Sequence, residues 1–420
     1  VVAGALGVAS PAVAGGGFEL FAQGSKAAGL AGAFVAQADD PTAVFYNPAG
    51  LALKPPPPGK PKKLALGVTA HALNEALYQG LPPGTGAGTA AERETGFTLA
   101  PHLYAAKPLG ERVVLGVGIY TPFLYDSEWS AAGGFAGRFV STGAELVAYD
   151  VAPTLAFQVT PTFGFGVGAI YRSSELSQSR RFPLPDPVTG RPRDVASLSA
   201  DSDFESGIGF SLGILHKPSP RFSWGASYRS PIEIDYGGVV RLTQIETGDA
   251  GFDALVRATL PLDEDLPLAT TLELPDTTRL GVAFGLGKRL LLELDAEQTG
   301  WSSVQQIVLA SPGEPQLDQT LELALDDSMA YRAGLLVSLP TGFQLRFGYA
   351  FEESPQPDAS VGPLLADSDR SVYAGGIGLD WLELAFAWID YDQRIVTTNA
   401  DAVNGNWRQS AYLLSLTIVK

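Results

Sequence analysis

Residues 163–172 read Phe163-Gly164-Phe165-Gly166-Val167-Gly168-Ala169-Ile170-Tyr171-Arg172. In an extended chain, successive side chains point to opposite faces. Phe163, Phe165, Val167, Ala169 and Tyr171 therefore share one side, and Gly164, Gly166, Gly168 and Arg172 the other. A strand with large apolar groups on one face and glycines with a cation on the other separates two unlike surroundings. The period alone does not say which is the inside. A soluble barrel buries the aromatic face, whereas a membrane barrel turns it to lipid.

The same split recurs along the chain. Val147, Tyr149, Val151, Leu155 and Phe157 oppose Ala148, Asp150, Ala152, Thr154 and Gln158. Phe343, Leu345, Phe347 and Tyr349 oppose Gln344, Arg346, Gly348 and Ala350. Leu382, Leu384, Phe386 and Trp388 oppose Glu383, Ala385 and Ala387. About fourteen such segments follow residue 64, spanning 64–74, 95–107, 112–123, 142–159, 162–175, 203–216, 220–243, 269–286, 289–310, 321–338, 342–353, 368–379, 381–393 and 408–419. An even number suits a single-chain bacterial barrel. Tight links at 108–111, 160–161, 217–219, 287–288 and 340–341 alternate with long polar ones at 75–94, 124–141, 176–202, 244–268, 311–320, 354–367 and 394–407. Short turns at one end and long loops at the other are what a transmembrane barrel requires. Asp150, Arg172, Arg229, Arg279, Glu293, Asp295, Arg332, Arg346 and Glu383 fall opposite the aromatic face. Ionised groups are costly in hydrocarbon, so in a membrane barrel they face a polar lumen.

Composition agrees with this reading. Charged residues make up 17% of the 420, against roughly a quarter in a typical soluble domain. Mean hydropathy is +0.11, yet no apolar run reaches the roughly 18 residues of a spanning helix. The net charge of -17 argues against a nucleic-acid partner, which needs a basic footprint. Residues 1–14, VVAGALGVASPAVA, resemble the apolar core and small-residue cleavage site of a signal peptide and are set apart from the fold. Residues 15–63 do not alternate. They are rich in Gly and Ala with a few large aromatics, as expected of short, tightly packed helices forming a plug. Asp40-Pro41 reads as a helix start and Asn47-Pro48 as a turn. Residues 64–420 are then the barrel proper.

In this N-terminal segment the chain resembles the FadL family of outer-membrane transporters of long-chain fatty acids and other hydrophobic compounds. The resemblance rests on Gly17-Phe18-Glu19, Gln23-Gly24-Ser25, Gly29-Leu30-Ala31-Gly32-Ala33, Ala38-Asp39-Asp40-Pro41 and Asn47-Pro48-Ala49-Gly50-Leu51. Farther on it takes in Tyr120-Thr121-Pro122-Phe123, the Trp129 to Arg138 stretch, Tyr228-Arg229-Ser230-Pro231-Ile232 and Phe347-Gly348-Tyr349-Ala350. It implies a fourteen-stranded barrel stoppered by an N-terminal hatch bearing the motif Asn47, Pro48, Ala49 and Gly50, with a hydrophobic pocket above. It further implies sideways release near strand three, where the inward Gly116 and Gly118 leave room beside the hatch. The chain departs from most outer-membrane barrels in ending on Lys420 rather than an aromatic residue.

A hydrophobic pocket needs mostly apolar lining with few polar anchors. Candidates are Phe18, Phe21, Phe34, Phe45 and Tyr46 on the hatch, and Leu124, Trp129, Phe135 and Phe139 after strand three. Arg138, Arg172 and Arg229 are candidate cations for a ligand carboxylate. Plain packing or structural ion pairing is the alternative role for each. His71, His102 and His216 lie far apart, and neither a Gly-x-Ser-x-Gly motif nor a His/Cys cluster is present. No enzyme activity, cofactor or metal is therefore expected. The expected partners are a hydrophobic small molecule and outer-membrane lipid, with the protein a monomer in the bacterial outer membrane. A plugged barrel serving as a receptor or structural envelope protein is the competing reading, and an open porin is a third.

Overall fold

In the computed structural model, which describes residues 16–53, 63–84, 86–130, 134–340 and 342–420, fourteen antiparallel strands close into a ring. They are β1 (Leu64–Gly80), β2 (Phe97–Pro108), β3 (Val113–Glu128), β4 (Gly143–Thr160) and β5 (Phe163–Pro185). Next come β6 (Pro192–Ser202 and Glu205–Ser219), β7 (Phe222–Arg229 and Ile232–Gln244) and β8 (Leu266–Leu274 and Thr277–Leu286). The series ends with β9 (Leu290–Thr299), β10 (Ser328–Ser338), β11 (Gln344–Glu352), β12 (Arg370–Gly378), β13 (Leu382–Tyr391) and β14 (Gly405–Val419). Each strand pairs with its chain neighbours. The register Ala65↔Val419 to Gly80↔Gly405 joins β1 to β14, so the sheet has no free edge.

The structure settles which face is inside. Phe347 is 54% exposed and Trp388 39%, whereas Asp150 and Arg346, on the opposite faces of their sheets, are 0% and 1% exposed. All nine charged residues assigned to the lumen from the sequence are buried within the ring. Tyr349, Tyr373, Trp388 and Tyr412 stand side by side on β11 to β14, and Phe343 and Trp381 are exposed toward the short-turn ends of their strands. Such aromatic girdles flank the apolar band of a transmembrane barrel.

β7 and β8 break side by side, at Ser230-Pro231 and Pro275-Asp276, and β6 breaks farther along, at Asp203-Phe204 opposite Gly237. Pro231 and Pro275 have no N–H for the ladder, which favours a break there. Below the breaks the outer surface carries Phe210, Trp224, Leu280 and Phe284, and above them Glu233 and Asp235 are exposed. The sheet thus continues past the lipid boundary as a polar-skinned wall. Residues 176–202, expected to be a loop, are part of this wall. β5 runs on to Pro185 and pairs with β6 from Ser177↔Asp201 to Pro185↔Pro192. At the hairpin tip the Thr189 and Val188 N–H groups donate to Asp186, holding its carboxyl down at about 2.

Three further differences concern the long-loop end. β9 stops at Thr299 rather than 310, and the next apolar stretch forms a separate hairpin, Gln306–Leu309 with Gln319–Glu322, that folds inward. Within the connection 244–268 lies the helix Ala250–Thr259, capped by the Asp249 side chain on the N–H groups of Gly251 and Phe252. Val147, in line with Tyr149 and Val151, is only 5% exposed because it clusters with Leu20 and Leu124.

Residues 16–53 lie inside the ring and are almost all buried. They contain two four-residue helices, α1 (Ser25–Ala28) and α2 (Ala43–Tyr46), and a 3-10 turn at Pro48–Leu51. α2 begins after the Asp40-Pro41 start read from the sequence. Asp40 instead accepts from the Thr42 N–H and hydroxyl, 2.8 and 2.6 Å, and secures the turn that leads into the helix. The signal-peptide stretch 1–14 and the basic lead 54–62 lie outside the described residues.

Candidate functional site

Glycines on the inner wall let the N-terminal segment lie directly on the sheet. A Cβ on Gly348 of β11 would sit 2.3 Å from the Ala31 nitrogen and the Leu30 carbonyl carbon. A Cβ on Gly166 of β5 would sit 2.4 Å from the Pro48 carbonyl carbon. The glycine face of residues 163–172 is therefore shaped to backbone. Asn47 serves both sides of this contact. Its Nδ2 donates to the carbonyls of Val35 (3.0 Å) and Ile214 (2.9 Å), and its Oδ1 accepts from the Ala49 N–H. Pro48 opens the turn, where its missing N–H costs nothing. Gly50 is required because a Cβ there would meet the Ala38 oxygen at 2.0 Å.

Charges hold the rest. Asp295 and Glu293, two apart on the inner face of β9, receive four consecutive N–H groups of the segment. Phe34 and Val35 donate to Asp295 at 2.7 and 3.0 Å, and Ala36 and Gln37 to Glu293 at 2.6 and 3.1 Å. Around them Arg279 and Arg332 pair with Glu297, Arg332 and Arg370 with Glu352, and Arg346 with Glu383. Arg172 and Arg229 share Asp150, and Arg229 also donates to the Tyr120 hydroxyl at 2.8 Å. Charge-assisted bonds of this kind are the strong ones, and in a lumen shielded from bulk water they brace the wall.

The first residues of the segment meet a defect in β3. Between Tyr120↔Asp150 and Phe123↔Ala148, Thr121 and Pro122 stand opposite the single residue Tyr149, a β-bulge. β2 pairs with β3 only as far as Leu103↔Ile119. Residues 18–20 fill the place beyond. The Leu20 N–H donates to the Pro122 oxygen (2.9 Å), the Leu124 N–H to the Phe18 oxygen (3.2 Å), and the Gln23 side chain to the Thr121 oxygen (2.6 Å). Gly116 and Gly118 lie in the regular ladder below the bulge. Gly116 gives room to Leu51 and Val44, and Gly118 to the Tyr104–Tyr120 stack.

Above this junction is an apolar cavity of about 40 Å³ floored by Phe18. Tyr125, Leu146, Leu176 and Leu272 line it from the strands, and Ile307, Leu321 and Leu364 from the loops. Below the junction a second space of about 20 Å³ is lined by Glu19, Arg279, Glu297, Arg332, Glu352 and Arg370. The N-terminal residues 16–21 thus separate an oily chamber from an ionic one.

Of the candidate ligand residues, Phe18 lies in this chamber, edge-on to Tyr125 and Trp301. Leu124 sits at the β3 bulge with Leu20. Phe45 lies between the guanidinium groups of Arg229 and Arg279, 4.6 and 4.8 Å from its ring centre. Phe21 lies under Arg332, and Phe34 packs on Tyr46, whose hydroxyl accepts the Gln23 N–H at 2.8 Å. Trp129 and Phe135 stack on each other in a separate cluster with Tyr78 and Trp407. Arg138 is paired with Asp194 and stacked on Phe139, 4.1 Å from its ring centre. Sequence reading missed Leu146, Leu176, Leu272, Ile307 and Leu321. The alternation Leu176, Gln178, Arg180, Phe182 was the available signal, hidden within a stretch read as loop.

The fold has solved counterparts. An FadL homologue of Pseudomonas aeruginosa superposes with a TM-score of 0.79 at 20% identity, covering 97% of this chain and 99% of that one. The Pseudomonas putida toluene transporter TodX gives 0.74 at 17% identity, covering 96% and 99%. Among curated proteins, the long-chain fatty acid transport protein of Escherichia coli O6:H1 is 22% identical over 317 residues, 70% of this chain and 68% of that protein. The Salmonella typhi protein of the same description is 21% identical over 292 residues, 66% and 65%. The chain thus spans about two thirds of the length of the curated relatives it matches. The family model described as outer membrane protein transport protein (OMPP1/FadL/TodX) matches residues 5–419. This chain, a transmembrane β-barrel of the bacterial outer membrane, belongs to that family.

Proposed function

We propose that this protein takes up small hydrophobic molecules, such as long-chain fatty acids or aromatic hydrocarbons, by gated passive transport as a monomer. Ligand enters the apolar chamber above Phe18. Displacement of residues 16–24 then opens the wall at the β3 bulge, and ligand leaves sideways into the bilayer. The observation that carries this reading is the junction itself: Phe18, which floors the chamber, accepts the Leu124 N–H of the interrupted strand, and its neighbours Leu20 and Gln23 bond Pro122 and Thr121. A single movement would connect pocket to lipid.

One observation favours a different reading. The bonds from Asp295, Glu293 and Asn47 clamp the middle of the plug, as a permanently closed receptor or structural barrel would require. The two readings separate on deletion of residues 16–24. Uptake of a labelled long-chain fatty acid or alkylbenzene is measured in cells carrying this barrel alone. Transport requires uptake by the intact protein and a marked change on deletion. Uptake absent from the intact protein, or indifferent to the deletion, removes the gated mechanism.

A further inference from the structure

The exposed charges of this chain are sorted between its two ends. At the short-turn end Lys63, Lys107, Arg112, Arg221, Lys288, Arg289 and Lys420 are exposed, and the only exposed carboxylates there among the described residues are Glu111 and Asp380. The chain as a whole carries -17, so this end runs against the rest. Among the described residues, none of the seven cations has a carboxylate within ion-pair distance. The long-loop end is the reverse. Arg138, Arg193, Arg241 and Arg394 are paired there with Asp194, Asp186, Asp265 and Asp358. The outer face of the wall carries Glu145, Asp201, Glu233 and Asp235, all exposed.

Four of the seven cations form one arc. Lys420 follows β14, Lys63 precedes β1, Lys107 lies near the end of β2, and Arg112 precedes β3. The Lys63 N–H donates to the Lys420 oxygen (2.6 Å), and the Lys63 oxygen accepts from the Ala106 N–H (2.8 Å). Neighbouring strands thus carry cations side by side, about 5 Å apart from strand to strand. Like charges so close repel one another, and Glu111 is the one exposed carboxylate among them. The arc also borders the apolar band. Lys107 stands opposite Leu115 across the β2–β3 ladder, and Leu66, Leu109, Leu115 and Ile418 around it are exposed. Across the ring, Lys288 lies in the turn between the exposed Leu286 and Leu290. Long basic side chains at such an edge lay their stems on hydrocarbon and keep their heads in the polar layer. Strung along the perimeter, these cations have lipid for a neighbour.

We propose that the short-turn rim is a binding surface for the anionic phospholipids of the adjoining periplasmic leaflet. The β14–β3 arc holds their phosphates, and the leucines beside it meet their acyl chains. Headgroups of net negative charge, such as phosphatidylglycerol, are retained over zwitterionic ones. The surface is independent of what the lumen carries.

The test uses the full chain in vesicles of zwitterionic phospholipid with a trace of spin-labelled lipid, either phosphatidylglycerol or phosphatidylcholine of equal chain length. Electron paramagnetic resonance reads the fraction of each label immobilised at the protein. The intact protein should favour phosphatidylglycerol by about twofold or more at low salt, and the preference should shrink at about 1 M salt, where exposed charges are screened. Lys63→Gln/Lys107→Gln/Arg112→Gln/Lys420→Gln should remove at least half of the preference, whereas Arg241→Gln/Arg257→Gln at the other end should leave it unchanged. If the fourfold variant does not fold, Lys107→Gln/Arg112→Gln tests the same arc and should still lower the preference. Equal immobilisation of the two labels by the intact protein overturns the proposal, as does a preference undiminished in the arc variants. Binding of soluble polyglutamate without any lipid preference also overturns it, and assigns the rim to an acidic protein instead.

Discussion

Gly348 carries no side chain, yet it decides where the plug sits. With the Ala31 nitrogen 2.3 Å from its would-be Cβ, Gly348→Val leaves Leu30 and Ala31 nowhere to lie. Over-packing of this kind costs about 1–3 kcal/mol where the structure can adjust, and here adjustment means lifting the plug. The variant should keep the heat-modifiable electrophoretic mobility of a folded barrel, while residues 16–53 become open to protease. Glu293 and Asp295 act two strands away, on β9. Replacing both by Gln and Asn keeps the shape and removes the charge from four hydrogen bonds. Hydrogen bonds to charged groups contribute about 1.5–3 kcal/mol each. The sequence contains no cysteine, so Gln37→Cys offers one labelling site. Its maleimide labelling should rise at least about tenfold in the Glu293→Gln/Asp295→Asn background. Unchanged labelling would mean that these carboxylates do not hold the plug.

At the scale of elements, β3 is the informative strand. Because Thr121 and Pro122 oppose one residue, deleting Pro122 restores the register on both sides of the bulge without moving any other pair. If the interruption is the way out, uptake of a hydrophobic probe should fall by about tenfold or more while the barrel stays folded. Undiminished uptake would place the exit elsewhere. The strands themselves were largely legible, since period-two alternation in segments such as 163–172 needs no tertiary context. The bulge was not, because one extra residue shifts the pattern without erasing it, and the inward Gly116 and Gly118 are the more visible feature of the strand. The wall above the lipid was missed for a related reason. Ser177, Ser179, Ser197 and Ser199 clothe the water-facing side of β5 and β6, and a serine-rich strand in water has a loop's composition. The alternation of Leu176 to Phe182, and of Leu198 with Ala200, was the sign of a buried face beneath. Pairs such as Leu146 with Ile307 become visible only once the loop hairpin has folded back.

For the whole molecule, the sequence located its charges but not all of their partners. The tight turn at 160–161 pairs Asp150 with Arg172, but nothing in the spacing shows that Arg229, two strands farther on, joins them, because distant neighbours in a ring are set by shear as well as by order. The result is a cylinder oily outside, ionic at its waist and oily again in its upper chamber. Such a cylinder should not leak. In liposome swelling, the intact protein should pass no small sugar, whereas Gly348→Val should. Rapid sugar entry through the intact protein would mark an open porin and contradict the buried, bonded state of residues 16–53.

The glycines facing inward at positions such as 166 and 348 form a negative mould of one particular backbone path. Mould and casting must therefore be inherited together. A stopper borrowed from a relative would bring its bulges to the wrong hollows, however well the two cylinders superpose. Exchange of parts within the family should succeed only when the plug travels with the wall that was shaped around it.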